Sequence, residues 1–261
     1  MNNMLQFSAG DILNTTAGLL WPFMRIGAMM VAAPVFSASS LPLRVRILLA
    51  VLVAWILLPV LPNPPRVDLI SGQAFLIGFY QILIGLAMGF MLQLVFAVFI
   101  IAGQSIAMAM GLGFASAVDP QNGVQVPVIS QFLLIMVTLI FLSLDGHLVF
   151  LDLMAESFRL LPVGMMHPPV DQLKALAYWG TYMFSSGLLV ALPAVTGLLL
   201  VNIAFGVASR AAPQLNIFAV GFPVMIMAGF SLLVLIAPSL TDHFSNILVD
   251  ALGFIRRLLV I

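Results

Sequence analysis

The sequence predicts an all-α, polytopic membrane protein built of long helical hairpins, and three observations carry that expectation. Of 261 residues, 63% are hydrophobic and only 7% are charged, where ordinary soluble domains carry about 25% charged residues. Mean hydropathy is +1.21. The apolar residues collect in six runs, roughly 17–37, 45–62, 70–102, 127–145, 176–204 and 214–240, with prolines and charges between them. A span needs about 20 mostly apolar residues.

The N-terminus, "MNNMLQFSAGDIL", has neither the basic start nor the small-residue cleavage site of a secretory signal, so the first run is expected to stay as an anchor. That run contains Arg25. A charge at the bilayer centre costs roughly 2.5–3.5 kcal/mol on the mildest scale, which leaves two readings. Either the side chain snorkels to an interface, or it is buried against a carbonyl cluster or a carboxylate in an assembly. The third run is free of charge from 70 to 102 and as one helix would be about 50 Å long, against about 30 Å of hydrocarbon. It must tilt, break or extend beyond the lipid. Gly78, Gly85 and Gly89 fall near one face of it, with Gly85 and Gly89 in the small-xxx-small spacing that lets a second backbone approach closely. That second backbone is either in the same chain or in another subunit.

Between 146 and 175, Asp152, Glu156 and Arg159 recur at helical spacing opposite Leu and Phe positions, an amphipathic helix suited to an interface. The last segment repeats the pattern, with Asp242, Asp250 and the Arg256–Arg257 pair on an otherwise apolar helix. The expected architecture is six apolar helices plus two amphipathic ones. No internal repeat or linker divides the chain, so residues 1–261 are taken as one domain.

Several functions are disfavoured by composition. Nine basic residues balance nine acidic ones, which gives no footprint for nucleic acid. Cysteine is absent, and with it disulfides, thiolate metal sites and cysteine nucleophiles. Ser116 has no histidine within a run to activate it. His147, His167 and His243 are scattered and form no metal pair, Asp145 and His147 belong to a helix-end turn, and no phosphate-cradling glycine loop occurs. The expectation is a non-enzymatic protein without metal or cofactor.

One segment breaks the apolar pattern without becoming hydrophilic. From Gly103 to Val126 the chain is expected to be a loop, and its centre reads "GLGFASAVDPQNG" from 111 to 123. Loops longer than about 12–15 residues are usually functional or disordered. Asp119-Pro120 supplies the first two positions of a turn, Asn122-Gly123 takes positive φ readily, and Pro127 suits the first turn of the next helix. Non-helical backbone at membrane depth is tolerated where protein covers it or it lines an aqueous cavity. A loop of small residues beside Met108 and Met110 suits a constriction that closes and yields, since methionine packs adaptably. The plainer reading is a connecting loop outside the membrane.

Arg25, then "APVF" (Ala33 to Phe36) and "LPLRVR" (Leu41 to Arg46), resemble the N-terminal signature of the FliR family, the T-type component of type III secretion export gates. "DPQNG" (Asp119 to Gly123), "PVISQF" (Pro127 to Phe132), "DGH" (Asp145 to His147) and "RAAPQLNIFAVGFP" (Arg210 to Pro223) follow in the family's order over the whole chain. The resemblance implies a core gate subunit in the bacterial inner membrane and the flagellar basal body. It would assemble with the FliP and FliQ proteins, contact FlhB and the FlhA ring, and pass unfolded flagellar substrates through a shared channel. It also implies a FliP-like part, 1–175, with a plug loop at 103–126, fused to a FliQ-like hairpin and C-terminal amphipathic helix, 176–261. In such gates the helices are held largely above the bilayer plane. The plug would take in Met108, Met110, Gly111, Gly113, Phe114, Ala115, Ser116, Asp119, Pro120, Gln121, Asn122 and Gly123, within a closing loop around 106–123. Pro213 to Phe218 would be a structural turn, with Arg210, Gln214 and Asn216 in polar contacts. A virulence-type gate and a small-molecule secondary transporter are the alternatives; the transporter would require paired interruptions in two halves and several ionisable groups within spans.

Overall fold

The computed structural model describes residues 9–37, 41–62, 65, 67–68, 70–113, 127–165, 170–211 and 217–259. Among them are eight α-helices: α1 (Ala9–Ala32), α2 (Leu43–Leu57), α3 (Gly72–Ala109), α4 (Val128–Ser143), α5 (Gly146–Leu160), α6 (Val170–Ala211), α7 (Ile217–Ile236) and α8 (Ser239–Leu259). A short 3-10 turn, Leu58–Val60, follows α2. Six of these are apolar, while α5 and α8 carry the charged faces that their spacing predicts. The described residues contain no strand.

Helix boundaries follow local chemistry. At the start of α3, Ser71 Oγ accepts the Ala74 N–H at 3.1 Å and donates to the Asp68 carbonyl at 2.6 Å, which satisfies groups that a bare helix start leaves open. Pro127 precedes α4 as its N-cap, its carbonyl accepting the Gln131 N–H at 3.1 Å. It therefore stands one position before the first turn where the sequence placed it. Asp145 links α4 to α5 in the left-handed conformation, φ 54°, and its carbonyl accepts the N–H groups of Leu148 and Val149 at 2.9 and 3.1 Å. The "DGH" stretch is thus a helix-to-helix turn.

Two expectations change. Of the three courses open to the third run, breaking is the one not taken: α3 is a continuous helix of 38 residues, about 57 Å long. It also takes over Gly103–Ala109, the first part of the expected loop. Ala102, Ile106, Ala107 and Met110 are buried and continue the apolar side of the helix, and Gly103 is a packing position and not a breaker. By length and composition, three helical stretches suit a span, 43–60, 72–109 and 174–211; the pairs broken near 144–145 and 237–238 raise the number to five if each counts as one. The six spans expected from hydropathy are fewer because several apolar helices are short: α4 has 16 residues, below the roughly 20 that a span needs.

The chain forms two compact units. The first comprises 1–93, 145–176 and 250–261, the second 94–144 and 177–249. In the first, a Cβ on Gly89 would lie 2.6 Å from Ala32 Cβ and 2.7 Å from the Met29 carbonyl, and one on Gly85 would collide with the Arg25 carbonyl. The close approach of α3 is therefore made with α1 of the same chain. Gly78 sits against Met24 and Trp21, and Trp21 forms a small core with Ala74 and Ile77. In the second unit, Phe244 of α8 meets Phe96, Phe99 and Phe141 with ring centroids 5.8 to 6.3 Å apart, within the range in which edge-on aromatic pairs attract.

Candidate functional site

Two places carry the residues that the sequence singles out. In the first unit Arg25 is completely buried. Its Nε donates to Gln81 Oε1 on α3 at 2.8 Å, one terminal nitrogen donates to the Ser157 carbonyl at 2.9 Å and Ser157 Oγ at 3.1 Å, and the other donates to the Leu161 carbonyl at 2.8 Å. Ser157 Oγ in turn donates to the Met154 carbonyl at 2.6 Å. The guanidinium also lies 4.1 Å from the centre of the Phe158 ring, a cation–π distance. Ser157 and Leu161 stand at the C-terminal end of α5, where unpaired carbonyls and the negative end of the helix dipole favour a cation. A buried charge is tolerated when its hydrogen-bonding groups are matched, and the planar fork of arginine reaches several acceptors at once.

Of the two readings of Arg25, snorkelling is excluded by its burial. Its partners are carbonyl and hydroxyl oxygens of its own chain, with no carboxylate among the described ones.

In the second unit the end of α3 is fixed. The Leu112 N–H donates to the Ala107 carbonyl and the Gly111 N–H to the Met108 carbonyl, both at 3.0 Å, with Gly111 at φ +81°. This is a Schellman cap, in which a left-handed glycine lets two last-turn carbonyls be satisfied. Met110 is fully buried and fills a notch in α7, because a Cβ on Gly229 would lie 2.5 Å from Met110 Cε. Phe222 of α7 lies beside Gly111, 3.8 Å from where a Cβ would be. Where the chain returns, Ser130 Oγ of α4 donates to the Ile100 carbonyl of α3 at 3.0 Å, and a Cβ on Gly103 would lie 2.8 Å from the Ser130 nitrogen. Met110 and Gly111 are therefore held against α7, and Ser130 against α3.

The family description "bacterial export proteins, family 1" matches residues 16–251. Similar proteins include the flagellar biosynthetic protein FliR of Pectobacterium carotovorum, 40% identical over 96% of this chain and 97% of that protein. FliR of Escherichia coli is 38% identical over 94% and 95%, and FliR of Bacillus subtilis 33% over 86% and 87%. The chain belongs to the FliR family of bacterial export proteins. FliR family membership makes it a membrane-embedded component of protein export, in a family that is not one of enzymes.

The residues expected from the FliR resemblance fall into three groups. Arg25, Gly78, Gly85 and Gly89 come together on the contacting faces of α1 and α3. Met108, Met110, Gly111 and Gly113 lie at the C-terminal end of α3, with Met108 63% exposed and Met110 buried. Phe114, Ala115, Ser116, Asp119, Pro120, Gln121, Asn122 and Gly123 lie outside the described residues, as do Pro213, Gln214 and Asn216. Arg210 is exposed in the last turn of α6, where a basic side chain suits the helix dipole.

Sequence reasoning missed Gln81, Ser157, Phe158, Leu161, Phe222 and Gly229. Gln81 had a signal, a strongly hydrogen-bonding side chain inside a charge-free run. The two carbonyl partners had none, because any residue type supplies a carbonyl.

Proposed function

We propose that this chain is a core subunit of the flagellar type III export gate in the bacterial inner membrane. With FliP- and FliQ-type partners it forms the channel through which unfolded flagellar subunits leave the cytoplasm, in contact with FlhB and the FlhA ring. The FliP-like part is 1–175 and the FliQ-like hairpin with its terminal helix is 176–261. The segment around 106–123 helps to close the channel, with Met108 and Met110 at its base.

Near-full-length similarity to flagellar FliR proteins supports the flagellar reading over the virulence-type one. The observation that carries the closing role is the anchored base: the Schellman cap at Gly111 and the Met110 seat on Gly229 hold the start of this segment in place. A yielding seal needs a firm attachment.

Deletion of residues 112–118 tests it. Ion or small-solute leakage is expected to rise while the assembled gate persists; leakage at background in an intact gate would remove the closing role. Cysteines at Phe114 or Gln121 should crosslink to a substrate arrested in transit, and absence of a crosslink under active export would sink the channel-lining claim.

A further inference from the structure

Over its second half, α3 leaves one narrow line uncovered. From Met91 to Met110 only Gln93, Gln104 and Met108 are exposed. With the half-buried Ala97 and Ile100 they follow at steps of three and four, a single line on a continuous helix, about 22 Å long. Over the first half the same line is apolar, with Phe75, Phe79, Ile82, Leu86 and Phe90 exposed. Gln81 lies on another side of the helix and is bonded to Arg25.

Given the channel reading above, on which this rests, we propose that the line faces the export conduit and that Gln93 and Gln104 hydrogen-bond the peptide groups of an unfolded chain in transit. Lipid is a poor cover for the two amides. Each carries an acceptor and two donors, neither has a hydrogen-bonding partner among the described residues, and an unmatched amide in hydrocarbon is costly. Hydroxyls in the apolar helices avoid that cost by bonding to their own helix. Ser105, Thr138, Ser185 and Ser231 each donate to a carbonyl three or four residues back, at 2.7 to 3.0 Å, a pattern open to short side chains. A second helix fits poorly as well. Helices in membranes meet through small residues, and here the long side chains of Gln93, Gln104 and Met108 hold another backbone away. Water and an extended polypeptide remain. Met108 ties the line to the conduit, since it is both the last residue of the line and part of the segment assigned to closure.

The chemistry of the line suits a substrate of no fixed sequence. A glutamine amide offers the donor and acceptor of a peptide group, so it matches the backbone at any residue. Without charge, it favours neither acidic nor basic stretches. The flexible thioether of Met108 adapts to apolar side chains of different shape. A wall of apolar residues alone would shed water and resist entry.

The absence of native cysteine allows the test in the assembled gate. Gln93→Cys and Gln104→Cys would be crosslinked to a substrate arrested in transit that carries single cysteines along its length. Phe114→Cys serves as the channel control, and Leu139→Cys, exposed on α4, as the control off the line. Both line positions should crosslink well above Leu139→Cys. They are about 16 Å apart along the helix, so their preferred substrate positions should differ by about five residues of extended chain. Export by the double variant Gln93→Leu, Gln104→Leu should fall about three- to ten-fold with the amount of assembled gate unchanged. Asparagine at both positions should keep most of the rate.

Crosslinks at Phe114→Cys with none at 93 or 104 would overturn the proposal and leave the channel reading standing; none at any of the three would overturn both. Crosslinking at Leu139→Cys equal to that of the line would overturn it too, as would an adduct of Gln104→Cys with a partner subunit in place of substrate. Export at the full rate by the double leucine variant would remove the hydrogen-bonding role.

Discussion

In the unit that contains Arg25, one guanidinium joins α1 to α3 and α5 through directional hydrogen bonds. In the unit that contains Phe244, four rings meet at tilted and edge-on angles, and no charged side chain among the described residues is buried. The two arrangements differ in what they tolerate. An aromatic cluster is held mainly by apolar burial, with only a modest orientational preference, and accepts a different side chain of similar volume at modest cost. A buried cation among carbonyls accepts only a group with the same fork, because each acceptor left bare keeps its full desolvation penalty.

The largest expected effect is therefore at Arg25. Arg25→Ala strips the donors from the Gln81 amide oxygen and the Leu161 carbonyl, at about 1–3 kcal/mol each, and leaves a cavity worth a further ~2 kcal/mol. A loss of about 5 kcal/mol should appear as failure of the chain to accumulate in the membrane or as collapse of its detergent melting midpoint. Arg25→Lys keeps the charge but reaches fewer acceptors, and about 2–3 kcal/mol should be lost. Equal stability of Lys and Arg at this position would mean that charge alone matters there.

Phe244→Ala should cost about 3–4 kcal/mol, the range for removing a buried aromatic ring. Phe244→Leu sharpens the contrast, because it keeps most of the apolar volume and leaves only a small cavity, so about 1–2 kcal/mol should be lost. Thermal unfolding of both variants in the same detergent checks it. If Phe244→Leu were as damaging as Arg25→Lys, the distinction between a tolerant and a directional core would fail.

The same contrast explains what the sequence revealed. The all-helical class and the division into six apolar and two amphipathic helices were legible, since helical periodicity and apolar content are properties of each segment alone. Arg25 was legible as an anomaly because charge inside an apolar run is costly wherever it points. Its solution was not: Ser157 and Leu161 contribute carbonyls, which leave no trace in side-chain identity, and Gln81 is 56 residues away. The length of α3 was misjudged at Gly103 because a glycine that breaks a helix and one that admits Ser130 are the same letter. The seat of Met110 on Gly229 was likewise hidden, since a notch exists only once two helices meet.

A smaller effect is expected at that seat. Gly229→Ala places a methyl where Met110 lies, but methionine is flexible, so overpacking should cost about 1–2 kcal/mol. Gly229→Leu leaves no room for Met110 and should displace the end of α3. Solute leakage measured beside melting separates the roles: Gly229→Leu should leak with little further loss of stability if the seat positions the segment after it. Loss of stability in proportion to side-chain size, without leakage, would make the seat packing alone.

The smallest effect belongs to a pair that looks like a second clamp in the first unit. Arg256 Nε of α8 lies 3.1 Å from Glu156 Oε2 of α5, but the two side chains are 59% and 35% exposed. Water already solvates both charges, and holding two long side chains in one geometry offsets much of their attraction. A double-mutant cycle with Glu156→Gln and Arg256→Gln should give a coupling of about 0.5 kcal/mol or less, reduced further in high salt, where screening acts on exposed pairs. A coupling several times larger would require the pair to be covered in the assembled complex. Arg25 and Arg256 would then differ in partner chemistry and not in burial.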